Sequence, residues 1–331
     1  MSLRAWVRPR SGHRPHDTET GVRSVSSDEQ VGGTSTGVPA VPPWRDGVAP
    51  IPQRTRYRWP NGASLAVYVA VGIEEYELGG SRVEDILDGP GGQHGPLLSN
   101  ASWRDYGNRV GGFRLLERLA DHGIAPTVLL NTDAYDTAPH LIGAARAVGA
   151  EFVGHGTSNS HSVLDLSEDE ERSYIRRVLG RIAEEEGRPP AGWSSPWLEH
   201  TPNSLRLLAE EGVQYTLDLR MDDQPVRLGQ GATELLAVPY ALELNDSSSM
   251  VARRVGAQEF ASMVIDEFDE LLAASAEGPV VMSVVVHTFI SGTPFRLQAL
   301  TRALAHLAGA GDQVWLATAG QIAEHHRRMT A

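Results

Sequence analysis

The 331-residue sequence contains no lysine and no cysteine, and all 29 of its basic side chains are arginine. These absences exclude a Schiff-base amine, a phosphate-loop lysine, a thiol nucleophile and any zinc or iron–sulfur centre held by thiolates. Carboxylate, imidazole, hydroxyl and amide chemistry remain. Positive charge is also in short supply: the formal net charge is −13, and a phosphate-binding surface needs clustered cations, so nucleic acid is not an expected partner. No apolar run is long enough to span a bilayer, and no apolar stretch follows the early arginines as a secretory signal requires. A cytoplasmic protein without membrane contact is therefore expected. With no cysteine, the redox compartment leaves no mark on the sequence.

What is present divides unevenly. Residues 1–60 hold nine Arg against five Asp plus Glu, and are rich in Ser, Gly, Pro and Thr with no apolar period. Such a composition cannot bury enough apolar surface to fold, so residues 1–57 are expected to be a disordered tail and 58–331 a single folded domain.

From Ser64 the chain alternates strand and helix patterns. Strands are expected at 64–73, 125–131, 151–155, 213–219, 235–239, 280–286 and 314–317. Helices are expected at 110–122, 139–148, 167–186, 202–211, 257–274, 297–307 and 319–328, with Ser167 and Glu170 forming a capping box. Residues 79–100 read as a Gly/Pro-rich loop, long enough to be a lid or rim. Strands separated by helices imply a parallel sheet, open or closed into a barrel.

Polar clusters fall just past the expected strand ends. They are Glu74-Glu75, Asn131-Thr-Asp133, His155-Gly-Thr-Ser-Asn159-Ser-His161 and His287. Active sites of α/β barrels are assembled at that end of the strands, so the clusters converge on one pocket in an enzyme. Glu74 and Glu75 supply candidate acid–base carboxylates, and His287 a candidate general acid. Glu75, His155 and His161 could converge on a divalent metal such as zinc, since ligands on loops need only meet in space. Tyr106 and Arg109, in the segment Trp103–Gly111, are candidate substrate contacts, because a guanidinium binds planar oxygens bidentately and an aromatic ring stacks. Trp193, Trp197, Asp222 and Arg296 are further candidates for the pocket rim, and Asn159 for an oxyanion donor.

In order, these segments resemble the polysaccharide deacetylase (NodB-homology, carbohydrate esterase family four) superfamily over residues 58–328. Gly72-Ile-Glu-Glu-Tyr76 resembles the Phe-Asp-Asp motif, His155–Asn159 the His-x-x-x-His metal motif and Gly192–Trp197 the Arg-x-Pro motif. Asp218–Asp223 falls in the fourth motif region, and Val284–His287 resembles the motif carrying the acid histidine. Asn159 stands in the place of the second metal histidine, Ser194 in that of the arginine, and both first-motif acids are glutamate. These departures point away from metal dependence and polysaccharide substrates. Trp103–Gly111, Gly154-His-Gly156, Asp222–Pro225, Val238-Pro-Tyr240 with Glu243–Asp246, and His287–Pro294 are similar to the branch containing cofactor-independent allantoinase and cyclic imide hydrolases. The resemblance implies a distorted (β/α) barrel of about seven strands. It also implies a hydrolase of non-peptide C–N bonds acting on a small cyclic ureide or imide, without a cofactor and as a homo-oligomer. A metal-dependent N-deacetylase and an inactive ligand-binding relative are the alternatives.

Overall fold

A computed structural model describes residues 48–78, 98–229 and 234–331. Nine strands form one curled sheet: β1 Leu65–Ile73, β2 Thr127–Leu130, β3 Glu151–Gly154, β4 Gly192–Trp193, β5 Tyr215–Thr216, β6 Val226–Leu228, β7 Leu235–Ala237, β8 Val280–His287 and β9 Val314–Leu316. The order is β6-β7-β5-β4-β3-β2-β1-β8. All pairings are parallel except β6 with β7. β9 pairs the first residues of β1, on which β2 pairs the last. The distorted barrel implied by the resemblance is what forms, with nine strands rather than about seven. Strands β4 and β6 have two and three residues, too few to show a period in the sequence.

β1 and β8 are buried along their whole lengths. That is the environment of a parallel strand covered on both faces, and it explains their unbroken Val/Leu/Ile runs. The sheet does not close by strand pairing. Val281 N donates to Asp223 O and Val285 N to Leu244 O, both at 2.8 Å, so the segment after β5 and the one after β7 lie along the free edge of β8.

Among the described residues, nine α-helices surround the sheet: α1 Leu98–Tyr106, α2 Gly112–Asp121, α3 Ala134–Thr137, α4 Pro139–Ala147, α5 Glu168–Glu186, α6 Ser204–Glu210, α7 Ala257–Ala274, α8 Pro294–Gly309 and α9 Ala319–Met329. α5 starts at the capping box of Ser167 and Glu170, and its Tyr174, Ile175, Val178, Leu179 and Ile182 form one inward stripe. Burying each such side chain stabilises the fold by about 1.5–3 kcal/mol.

α1 and α2 are joined through a π-helical turn, Gly107–Gly111. The glycines of this turn and Gly292 have a packing reason. A Cβ on Gly107 would lie 2.6 Å from Phe289 N, and one on Gly292 2.6 Å from the carbonyl carbon of Gly111. Only hydrogen at those positions lets the helix touch the turn that follows His287.

Residues 48–57, assigned to the tail, include a 3₁₀ turn at Ile51–Gln53, a buried Tyr57 and Arg54, which pairs with Asp222 at 2.5 Å. The lid expected at 79–100 lies outside the described residues, except Leu98–Asn100, which open α1. Among the described residues, no helix is long and apolar enough to cross a membrane.

Candidate active site

Sheet register delivers the site. Gly72 pairs with His287 across β1 and β8, Leu130 with Gly154, and Gly154 with Trp193, so these strands end side by side. The residues just beyond them, Glu74, Asn131, His155 and Ser194, with His287 itself, occupy one rim.

Glu74 is its centre. Its Oε1 lies 3.3 Å from Nε2 of His287 and 3.4 Å from Nε2 of His155. Its Oε2 accepts from the Tyr76 hydroxyl at 2.6 Å. Glu74, His155 and His287 are all buried. Gly72 makes room for them: a Cβ there would sit 2.9 Å from Cδ2 of His287 and 3.0 Å from Oε1 of Glu74.

Each imidazole is fixed from behind. His287 Nδ1 lies 2.5 Å from Asp246 Oδ1, while Asp246 Oδ2 accepts from His287 N at 2.9 Å and from the Ser291 hydroxyl at 2.5 Å. His155 Nδ1 lies 2.6 Å from Ser194 O. A carbonyl oxygen only accepts, so Nδ1 carries the hydrogen and Nε2 is the ring atom turned to Glu74. Burial alone would raise the Glu74 carboxyl, but the charge of His287, with hydrogen bonds from both imidazoles, holds it well below the usual carboxylate range. Burial would likewise lower His287, but Glu74 and Asp246 raise it well above an ordinary histidine. The resting pair is therefore carboxylate and imidazolium.

These groups line a cavity of about 70 Å³ together with Tyr76, Asn159, Trp197 and Tyr240. Trp197 and Leu198, both at its rim, have positive φ of 58° and 57°. Trp197 Nε1 donates to Asn159 O at 2.8 Å, and His200, hydrogen-bonded to the buried Asp218 at 2.9 Å, closes the same loop. Burial opposes the charge of both partners, yet their mutual attraction raises His200 and lowers Asp218.

Other candidates lie elsewhere. Glu75 turns away from the cavity, and its Oε1 accepts from Asn108 at 2.8 Å and Thr137 at 2.6 Å. Adjacent residues leaving a strand point to opposite sides. His161 is half exposed and lies 2.9 Å from Glu77. Glu75, His155 and His161 are thus not brought together. Among the described residues, no group of three His, Asp or Glu side chains is placed to hold a metal ion. The donor set does not fit one, because Asn159 Oδ1 is taken by Asn131 and His287 is committed to two carboxylates.

Arg109 is exposed, and Tyr106 accepts from Arg114 at 2.8 Å; neither lines the cavity. The Trp103–Gly111 segment acts on the site differently, through Asn108 Nδ2, which donates to Glu74 O at 2.9 Å. Trp193 is buried beneath Gly154 and donates to Ser195 Oγ at 3.0 Å. Asp222 is bound to Arg54, and Arg296 is half-buried outside the cavity, so neither lines it. The sequence places Asn131 in a polar cluster and Tyr76 and Asp246 in matching segments, but gives none of the three an individual role. Asp246 stands 41 residues from His287 and in no strand pattern, so only the fold could pair them.

No protein-family model matches the chain. It is 27% identical over 299 residues, 80% of this chain and 91% of the relative, to a Schizosaccharomyces pombe protein described as a polysaccharide deacetylase. Among solved structures it resembles Puue allantoinase, with 28% identity, a TM-score of 0.74 and coverage of 83% of this chain and 94% of that one. It also resembles a probable polysaccharide deacetylase from Pseudomonas aeruginosa PAO1, with 26% identity, a TM-score of 0.76 and coverage of 87% and 98%.

Proposed function

We propose that the chain, a member of the polysaccharide deacetylase superfamily in its allantoinase-like branch, is a hydrolase of non-peptide C–N bonds that opens a small cyclic ureide or imide. One observation carries this reading. A single carboxylate oxygen faces two imidazoles whose far nitrogens are already engaged by Asp246 and by Ser194 O.

In this mechanism the substrate's amide enters the cavity and water is held between Glu74 and the carbonyl carbon. Glu74 takes a proton from the water as its oxygen bonds to that carbon, and the carbonyl becomes an oxyanion. His287, already protonated, gives its Nε2 proton to the ring nitrogen as the C–N bond breaks. The proton on Glu74 then passes to His287, 3.3 Å away, restoring both groups, and the opened product carries the former ring nitrogen with its new hydrogen at one end and at the other a carboxylic acid that ionises by losing its proton to solvent. His155, anchored by Ser194 O, orients the attacking water through Nε2. Asn159 lines the cavity, and the Nδ2 hydrogen it does not give to the Tyr76 hydroxyl is offered to the oxyanion.

The test is hydrolysis of allantoin, hydantoin, succinimide and phthalimide beside N-acetylglucosamine oligomers, each with EDTA and with added zinc. EDTA-resistant ring opening supports the reading. Acetate release that requires zinc would replace it with a metal-dependent deacetylase.

A further inference from the structure

Glu74 could in principle work through either oxygen. Oε1 faces both imidazoles and Oε2 faces the Tyr76 hydroxyl, and the direction of that last bond is set by backbone groups two side chains away. Asn131 Oδ1 accepts from Glu75 N at 2.8 Å, and its Nδ2 donates to His155 O, so the Asn131 amide has only one orientation. The same Nδ2 donates to Asn159 Oδ1 at 3.1 Å. Asn159 must then present Nδ2 to the Tyr76 hydroxyl, which it meets at 3.1 Å. With its oxygen accepting there, Tyr76 sends its own hydrogen to Glu74 Oε2, at 2.6 Å.

We propose that Tyr76 is a positioning residue for the general base: through the Asn131–Asn159–Tyr76 chain it anchors Glu74 Oε2, so that Oε1 is presented to His287 and His155, where the attacking water is deprotonated. This rests on the function proposed above. Asn159 and Tyr76 together fix the orientation of the base and stabilise its ionised form by a donated hydrogen bond. The tyrosine ring is held independently, edge-on to Phe289 at 5.9 Å and beneath the Arg104 guanidinium at 4.4 Å, so removing the hydroxyl leaves its packing in place.

The experiment compares wild type, Tyr76→Phe and Glu74→Gln on the same cyclic substrates across pH. Tyr76→Phe should lower kcat by about 10–100-fold, as expected for a slightly misplaced reacting group, with KM changed far less. Loss of a hydrogen bond to the carboxylate raises the Glu74 pKa, so the acid limb of kcat/KM should move to higher pH. A dead Glu74→Gln beside a Tyr76→Phe with unaltered rate and acid limb overturns the Tyr76 assignment alone, whereas an active Glu74→Gln overturns the mechanism itself. A second readout needs no substrate. The melting-temperature loss caused by Tyr76→Phe should be larger at pH 6, where Glu74 is ionised, than at the lowest pH at which both proteins still fold; an equal loss at the two overturns the assignment.

Discussion

Asp246 holds His287 by two separate bonds, one oxygen 2.5 Å from the ring Nδ1 and the other accepting the backbone N–H of the same residue at 2.9 Å. The carboxylate therefore fixes the tautomer and orientation of the imidazole and favours its protonated form, the state a general acid must occupy before it acts. Asp246→Asn retains the shape but removes the charge that raises His287. The alkaline limb of the pH–rate profile should move to lower pH, and kcat should fall by about 100-fold or more, with KM nearly unchanged. A profile identical to wild type would remove Asp246 from the chemistry.

Glu74 and His287 also predict how stability responds to pH. Glu74 is lowered in the folded state, so its contribution is complete above the unfolded carboxylate value near 4.5 and fades as pH falls through the lower folded value. His287 is raised, so its contribution is complete below the unfolded value near 6.5 and fades as pH rises through the higher folded value. The pair stabilises most fully between those two limits. Denaturant unfolding of wild type and Glu74→Gln from pH 3 to 10 should show the two curves farthest apart there and converging on either side.

Gly72 sits where an added methyl would press on both members of that pair, at 2.9 and 3.0 Å. Both side chains are buried and cannot swing away. Gly72→Ala should therefore displace the carboxylate from the imidazole and cost about 100-fold in kcat while the chain still folds, as an unchanged far-UV spectrum would show. Full activity in a folded Gly72→Ala protein would mean that the Glu74–His287 distance does not matter.

The long, regular elements were legible because their signals are local. β1 and β8 announce themselves as unbroken apolar runs, α7 falls on the expected 257–274, and the capping box of Ser167 marks the start of α5. Glu74 and His287 were legible as polar residues where such runs end. What the pattern could not supply was direction and partnership. Nothing in Glu74-Glu75 says which acid turns inward, since the answer depends on Asn108 and Thr137 arriving from other segments to hold Glu75 outward. The Trp103–Gly111 segment reads as a binding motif by composition, yet its glycines serve a close approach of two backbones that no local pattern encodes. Asp246 lies in a serine-rich stretch that forms a π-helical turn rather than a strand, and its role exists only once β8 is beside it.

Asp222 offers a test that separates support of the fold from support of the reaction. Its two oxygens accept from both terminal nitrogens of Arg54, at 2.6 and 2.5 Å, and Oδ1 also accepts from Gln224 N at 2.9 Å. Both side chains are 14% exposed, so the pair is largely but not fully desolvated. Removing one partner of a fully buried pair costs about 3–5 kcal/mol, and exposed pairs contribute about 1 kcal/mol or less, so an intermediate loss of about 1–3 kcal/mol is expected for Asp222→Ala. Arg54→Ala should lose somewhat less, because the bond to Gln224 N survives it. The double variant should fall short of the sum, since both single changes break the same bond. Neither change should alter KM, because Asp222 does not line the cavity around Glu74. A raised KM in Asp222→Ala at undiminished stability would return Asp222 to the substrate and leave Arg54 without a role.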